Sequence, residues 1–482
     1  MENNRMRSGD LGDGTFLNPI IRGNYADPSI IRVNEDYYMV HTSYEYIPGL
    51  IIWHSNDLVN WEPIGSALHK YTGDVWAPDF VHYGGKYYIY FPSQRTNWVI
   101  TADDPRGPWS EPVNLHTKYI DPGHVVGPDG KRYLHLSGGY MIELEEDGIT
   151  TVGEARKIYE PWKYPEDWIV EAFSLEGPKL TYRDGYYYLT VAQGGTAGPP
   201  TSHMVAVSRS RTPWGPWEHS PHNPIIRTES AQENWWSQGH GSLVDTPEGD
   251  WWMVFHAYEK GLHSLGRQTL LLPVEWTPDG WFRIPEGVRA DQTIPKPGGY
   301  KVAHGWPESD NFRGGELGTH WQLVKGRGRE RHSVQDGWLQ IEGREENDGN
   351  SPLLYMSGHP SYEVEIEVCV QGDAEGRLIL YYDDSAYFGI GVSKQGIRHF
   401  RTFKSYRAIP FQSETVRLCI RNDWNIVSMH YDTGEGWKKY DKVIDASGFH
   451  HNTFGRFLSL RVGLDAVGQG TARFTDFRYT VR

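Results

Sequence analysis

NEDYYMVHTS, at residues 34–43, is a polar turn that opens into a run of aromatic and aliphatic residues. The texture returns as GGKYYIYFPS at 84–93, DGKRYLHLSG at 129–138, DGYYYLTVAQ at 184–193 and EGDWWMVFHA at 248–257. Alternation with period two behind a Gly- or Asp-containing turn is the signature of a strand entered from a hairpin. A second element follows several of these runs, a polar turn leading to a Trp and a short strand, as in SNDLVNWEPIG (55–65), DDPRGPWSEPV (103–113) and RTPWGPWEHSP (211–221). Units of roughly 45 to 65 residues match a four-stranded propeller blade, so residues 18–295 read as a five-bladed β-propeller. An irregular β-sandwich would not repeat in this way.

Pro and Gly crowd IPEGVRADQTIPKPGGYKV (284–302), which reads as a linker. Beyond it the texture changes. ESDNFRGGELGTHWQL (308–323), SYEVEIEVCV (361–370), RLILYYDDSAYFGIGVS (377–393) and ARFTDFRYTVR (472–482) alternate cleanly without the blade signature, so residues 305–482 read as a second all-β domain, a sandwich or jelly roll.

Composition narrows the function. Of 482 residues, 47 are Lys or Arg and 62 are Asp or Glu, a formal charge of −15 that repels phosphate backbones and anionic lipid. Nucleic acid and membrane are therefore not expected as partners, and an oligomer stays open. Two cysteines, Cys369 and Cys419, cannot staple a chain of this length, and neither a leader-like apolar run nor a spanning stretch is evident. A cytoplasmic location is the expectation.

The repeat allows equivalent positions to be compared. Counting back eleven or twelve residues from Tyr38, Tyr88, Tyr133, Tyr188 and Trp252 reaches Asp27, Trp76, Asp121, Glu176 and His240, each opening a short strand. Innermost propeller strands line the central channel, so these five side chains are expected to converge at one mouth. Singly, each has a plain structural reading: Asp before Pro is commonly a turn residue, and a lone His is commonly a hydrogen-bonded core residue. Together they are costly, because carboxylates crowded away from water raise one another's pKa. Glycoside hydrolysis wants such a set: one acid to protonate the leaving oxygen, one carboxylate to activate water and an aromatic face for the sugar. A third acid would keep the proton donor protonated. Asp79, in WAPD, is a rival third acid, but it stands three residues after Trp76 and should face away from whatever Trp76 faces. No HExxH, paired CxxC, P-loop or GxSxG element supports a metalloprotease, zinc finger, NTPase or triad hydrolase.

At these residues the chain resembles glycoside hydrolase family 43, the inverting five-bladed enzymes that include β-xylosidases and α-L-arabinofuranosidases. NPIIRGNYADPSIIRVNEDYYM (18–39) is similar to the family's general-base motif, KYIDPGHVVGPDGKRYL (118–134) to the motif of the pKa-tuning Asp, and LEGPKLTYRDGYYYL (175–189) to the general-acid motif. The resemblance implies Asp27 as base, Asp121 as pKa modulator and Glu176 as acid, with Glu171 in IVEAFSLEGPKL as a second acid candidate. It implies Trp76 and Arg267, in LGRQTLLLPVEW, lining the sugar subsite, and His240, in GHGSLV, near a hydrated, structural Ca2+ on the propeller axis. One His alone is a weak calcium signal, since calcium prefers oxygen. SYEYIPGLIIWHS (43–55) could supply a pocket wall through Tyr44 and Trp53, or those rings could be blade packing. The NDPN, RDP and EC motifs of invertase-like relatives are absent.

The implied activity is inverting, exo-acting release of β-D-xylose from the non-reducing end of short xylo-oligosaccharides, with α-L-arabinofuranosyl groups as a further substrate. The alternatives are a dedicated α-L-arabinofuranosidase on arabinoxylan-type side chains and a non-catalytic carbohydrate-binding propeller. The C-terminal sandwich resembles the domain appended to the family's xylosidase-like members.

Overall fold

The computed structural model describes residues 7–345, 349, 351–402 and 404–482. Five antiparallel sheets form from successive sequence, each starting on a strand that lines the axis. The first strands are Ser29–Val33, Asp79–Tyr83, Gly123–Val126, Leu175–Arg183 and Trp235–Asp245, and each pairs with the aromatic strand that follows it. These are the five blades. The aromatic strands are buried because their alternate side chains pack between neighbouring blades, as Tyr38 does edge-on against Tyr87 at 6.1 Å.

The ring is tied shut by the chain that precedes blade 1. Thr15–Phe16 pairs with Ile294–Pro295, Ile21 bridges to Thr269 in blade 5, and the Asn18 amide donates to the Leu271 carbonyl at 3.0 Å. The segment read as a linker is therefore pinned to the propeller. Lys296 donates to the buried carboxylates of Asp10 and Asp57, at 3.1 Å each.

The second domain is a sandwich of two antiparallel sheets. One orders its main strands Gly396–Arg401, Ala386–Ser393, Glu375–Asp383, Arg461–Val467, Leu353–Tyr355 and Trp321–Val324, and the other ends on Lys438–Asp445. The first sheet does not stop at its own domain. Tyr46–Ile47, from blade 1, adds to it through Leu323↔Ile47 and Val324↔Tyr46. Trp53 seals the same junction: it is fully buried, edge-on to Tyr25 at 5.2 Å and to Trp306 at 5.4 Å. Burying an indole of about 200 Å² contributes on the order of 5 kcal/mol, so removing either domain would expose a costly surface on the other. Among the described residues one short α-helix occurs, His451–Phe454, in the sandwich loop that meets the propeller mouth.

Candidate active site

Strand register refines the count made on the sequence. Tyr38, Tyr133 and Trp252 pair with Ile31, Val125 and Val244, each four residues after Asp27, Asp121 and His240. Tyr88 and Tyr188 pair with Val81 and Thr181, so the equivalent positions in blades 2 and 4 are Ala77 and Gly177. Trp76 and Glu176 stand one residue upstream. The cause is turn length: the hairpins of blades 1, 2 and 4 close around Asn34-Glu35, Gly84-Gly85 and Asp184-Gly185, whereas those of blades 3 and 5 span residues 127–131 and 246–250.

At the equivalent position the backbone is left-handed, with φ of 55° at Asp27, 56° at Asp121, 57° at Gly177 and 59° at His240. Asp, Asn and His tolerate this region better than most residues. At 177 glycine is required on a second count, since a Cβ there would lie 2.3 Å from His240 Nε2. The register irregularity between Glu176 and Lys179 lets blade 4 present both the Glu176 side chain and the Gly177 N–H at the mouth.

Asp27 is buried and gripped from three sides. Arg267 donates from Nη1 to Oδ1 at 3.1 Å and from Nη2 to Oδ2 at 3.4 Å, Thr42 donates its hydroxyl to Oδ2, and the Asp27 N–H donates to His256 Nδ1 at 3.1 Å. Burial alone would raise the Asp27 pKa. The guanidinium of Arg267 outweighs it and holds the carboxyl well below its usual range.

Asp121 and Glu176 are treated oppositely. Burial raises both, and the fixed negative charge of Asp27 raises both further. Gly177 N–H donates to Asp121 Oδ2 at 3.1 Å, which opposes the rise at Asp121. Asp121 adds to the rise at Glu176, whose side chain lies deep in the mouth yet stays partly accessible. The site thus holds one carboxylate ionised and a neighbouring carboxyl protonated.

Walls come from both domains. Tyr44 O–H donates to Asn24 Oδ1 at 3.2 Å and accepts from Arg267 Nη2 at 3.0 Å, and its ring meets Trp76 edge-on at 5.7 Å. Phe457, from the sandwich, packs at 90° to Trp76 at 6.0 Å, stacks on His451 at 3.5 Å and lies 5.0 Å from the Arg267 guanidinium. Asn24 joins these parts: its Oδ1 accepts from the Arg267 N–H at 3.0 Å and its amide donates to the Phe457 carbonyl at 2.9 Å. Tyr44 therefore belongs to the site and Trp53 to the domain junction. Sequence reasoning does not single out Phe457, Asn24 or His256. Asn24 and His256 lie inside quoted motifs, but nothing in HHNTFGRF marks Phe457 as reaching the propeller.

The rival acids have other work. Asp79 lies one layer along the axis, two residues beyond Ala77. It accepts from Lys179 Nζ at 2.9 Å, from Ser29 Oγ at 3.3 Å and from His124 N–H at 2.8 Å, so it ties blades 1, 2, 3 and 4 together. Glu171 sits at the rim, where its Oε2 accepts from Ala197 N–H at 3.0 Å.

His240 lies between the two aspartates, with Nδ1 3.4 Å from Asp27 Oδ1 and Nε2 4.0 Å from Asp121 Oδ2. Burial pushes it down to about 3, so the ring is neutral. His203 and His256 stand beside it, and the three offer nitrogens within 4.8 Å of one another. His256 is engaged at both nitrogens, the second with Thr196 Oγ1 at 3.1 Å, while His203 donates from Nδ1 to the Gly194 carbonyl at 2.7 Å. Calcium takes six to eight oxygen ligands. A cluster of imidazoles does not supply them directly, so the hydrated ion that the resemblance implies would meet His240 through its own waters, toward the two ring nitrogens that are buried without a hydrogen-bond partner.

A five-bladed propeller whose mouth pairs an ionised aspartate with a protonated glutamic acid, walled by aromatic rings, is the architecture of a glycoside hydrolase. Residues 16–282 match the model of glycosyl hydrolases family 43, and residues 309–480 match that of the beta xylosidase C-terminal Concanavalin A-like domain. The chain belongs to family 43. It is 32% identical over 426 residues to a non-reducing end α-L-arabinofuranosidase of Bacteroides ovatus, covering 81% of this chain and 78% of that protein. It is also 32% identical over 381 residues to a xylan 1,3-β-xylosidase of a Vibrio species, covering 68% and 67%. A family 43 protein of Bacillus licheniformis superposes with a TM-score of 0.89 at 27% identity, over 97% of this chain and all (100%) of the other.

Proposed function

We propose that this inverting glycoside hydrolase removes single β-D-xylosyl units from the non-reducing ends of short xylo-oligosaccharides and also accepts α-L-arabinofuranosyl groups. The observation that carries the assignment of roles is the opposite electrostatic treatment of Asp27 and Glu176: groups whose pKa values are driven apart are the natural base and acid of one reaction. Glu176 gives its proton to the glycosidic oxygen as the C1–O bond breaks. Asp27 takes a proton from a water that attacks C1 on the opposite face, so the released sugar has inverted configuration and Asp27 ends protonated. Asp121, through its charge, keeps Glu176 protonated before each turnover. Arg267 fixes Asp27, Tyr44 steadies Arg267 by accepting from its Nη2, and Trp76 and Phe457 supply an apolar wall for the sugar ring.

The contact of Phe457 with Trp76 supports exo action, because the two rings join into one wall that closes this side of the mouth to a continuing chain. A dedicated α-L-arabinofuranosidase is the second reading, favoured by the Bacteroides ovatus relative's name. Kinetics on paired p-nitrophenyl β-D-xyloside and α-L-arabinofuranoside separate the two. Proton NMR of the first product from a β-xyloside should show the α-anomer, and early β-anomer would overturn Asp27 as base.

A further inference from the structure

The sandwich carries a second concave site, remote in sequence from the residues above. Its edge strand Lys438–Asp445 faces the strand Gly396–Arg401 of the other sheet across the open flank. The chain after that second strand folds back on it, with Ile397 N–H donating to the Ile409 carbonyl at 2.9 Å and Ile409 N–H to the Ile397 carbonyl at 2.8 Å. Between these three segments lies a cleft of roughly 580 Å³, within the range of small-ligand sites.

Its floor is His399, which is buried and stacked on Tyr406 at 4.9 Å, with Tyr440 inclined to it at 6.3 Å. Nδ1 donates to the Gly389 carbonyl at 2.9 Å, and Nε2 is left as a buried acceptor without a hydrogen-bond partner. Burial, with Lys442 and Arg401 nearby, keeps the ring neutral. Around this floor stand the exposed cations Arg407, Lys439 and Lys442 against a single carboxylate, Asp441. The exposed side chain of Ile409 adds an apolar wall.

In a chain of net charge −15 this is a local reversal of sign. Lysines on an edge strand commonly guard it against pairing with another strand. That accounts for Lys439 and Lys442. It does not account for Arg407, which reaches the cleft from the folded-back segment, nor for the unpartnered imidazole acceptor beneath.

We propose that this cleft binds an acidic glycan, specifically a uronic-acid side group on a xylan chain, with the carboxylate held by Arg407, Lys439 and Lys442 and the sugar ring against Ile409. A planar guanidinium suits a carboxylate through two parallel donors. Three cations in a cleft of this size match one carboxylate better than the dense charge of a nucleic acid, which the rest of the surface repels. That the acid is borne by xylan rests on the function proposed above; the cationic cleft does not.

The test is affinity electrophoresis of the full chain through native gels containing glucuronoxylan, neutral arabinoxylan or polygalacturonate. Retardation is expected to be stronger in glucuronoxylan than in the other two, and the difference should vanish in Arg407→Gln/Lys442→Gln with melting temperature and aryl xyloside hydrolysis unchanged. All three cations are exposed, so Lys439→Gln/Lys442→Gln serves if the first pair destabilises the fold. Equal retardation in both xylans, retardation that survives both double variants, or retardation in polygalacturonate equal to that in glucuronoxylan would each overturn the proposal. Inactivity on aryl xyloside would instead defeat the proposed function and leave the binding result standing.

Discussion

Arg267 and Asp27 stand 240 residues apart in sequence and meet through both carboxylate oxygens, at 3.1 and 3.4 Å, where the last blade closes against the first. Closing the ring and ionising the base are thus one event. A propeller that failed to seat blade 5 against blade 1 would also lose the charge that keeps Asp27 deprotonated.

Arg267→Met therefore has a signed consequence. Without the guanidinium, burial acts on Asp27 unopposed by its strongest cationic neighbour, and the pKa of the base rises. Since Asp27 must be ionised to accept a proton, the acid limb of the pH–rate profile for kcat/KM should move to higher pH. Loss of the donors themselves is expected to cost on the order of 10²–10³-fold in turnover. An acid limb that stays in place would assign the base elsewhere.

Glu176→Ala should lose roughly 10²–10⁴-fold on xylobiose, whose leaving oxygen needs a proton, and far less on an aryl xyloside with a good leaving group. Asp121→Asn removes a charge that raises the Glu176 pKa, so the alkaline limb should move toward acid. Asp79→Asn leaves Lys179 buried without its carboxylate, and breaking such a pair costs about 3–5 kcal/mol, so melting temperature should fall while the limb stays. An acid-shifted limb in Asp79→Asn but not in Asp121→Asn would reverse the two assignments.

The repeat made the propeller legible because each blade must bury its own aromatic strand, and Tyr38, Tyr88, Tyr133, Tyr188 and Trp252 record that need at similar intervals. The same count also brought Asp27, Asp121 and His240 to equivalent positions. It landed one residue early on Trp76 and Glu176, because the number of residues in a hairpin turn is set by backbone geometry that aromatic spacing does not encode. The strand period made Asp79 legible only as facing away from Trp76; that it lies one layer along the axis and joins four blades follows from the register. Phe457 was not legible: it lies outside any repeat, and its place depends on Tyr46–Ile47 adding to the sandwich sheet, a pairing between distant segments that neither segment's own pattern announces.

Phe457 gives the next expectation. Its ring covers the pocket from the second domain while its backbone carbonyl is held by Asn24. Phe457→Ala should lower kcat/KM on xylobiose by roughly 30- to 150-fold, the equivalent of about 2–3 kcal/mol for a ring covered by the sugar, with a smaller proportional effect on melting temperature because the ring is half-buried. A propeller cut near residue 295 should be insoluble or inactive, since it would expose Trp53. A soluble truncation with full activity would refute the shared pocket.

His240 decides the place of metal. Its neutral ring lies 3.4 Å from Asp27 Oδ1, and both of its nitrogens are buried without a hydrogen-bond partner. His240→Ala should reduce activity by leaving a gap between Asp27 and Asp121, with the acid limb in place and a modest change in melting temperature. The neighbours of that ring are imidazoles, and a hard cation that seeks six to eight oxygens finds few of them at this position. A hydrated Ca2+ resting on His240 through its own waters would make turnover of an aryl xyloside fall on dialysis against a chelator and recover on adding Ca2+. Full turnover after chelation, with normal activity in His240→Ala, would rule the ion out at this position.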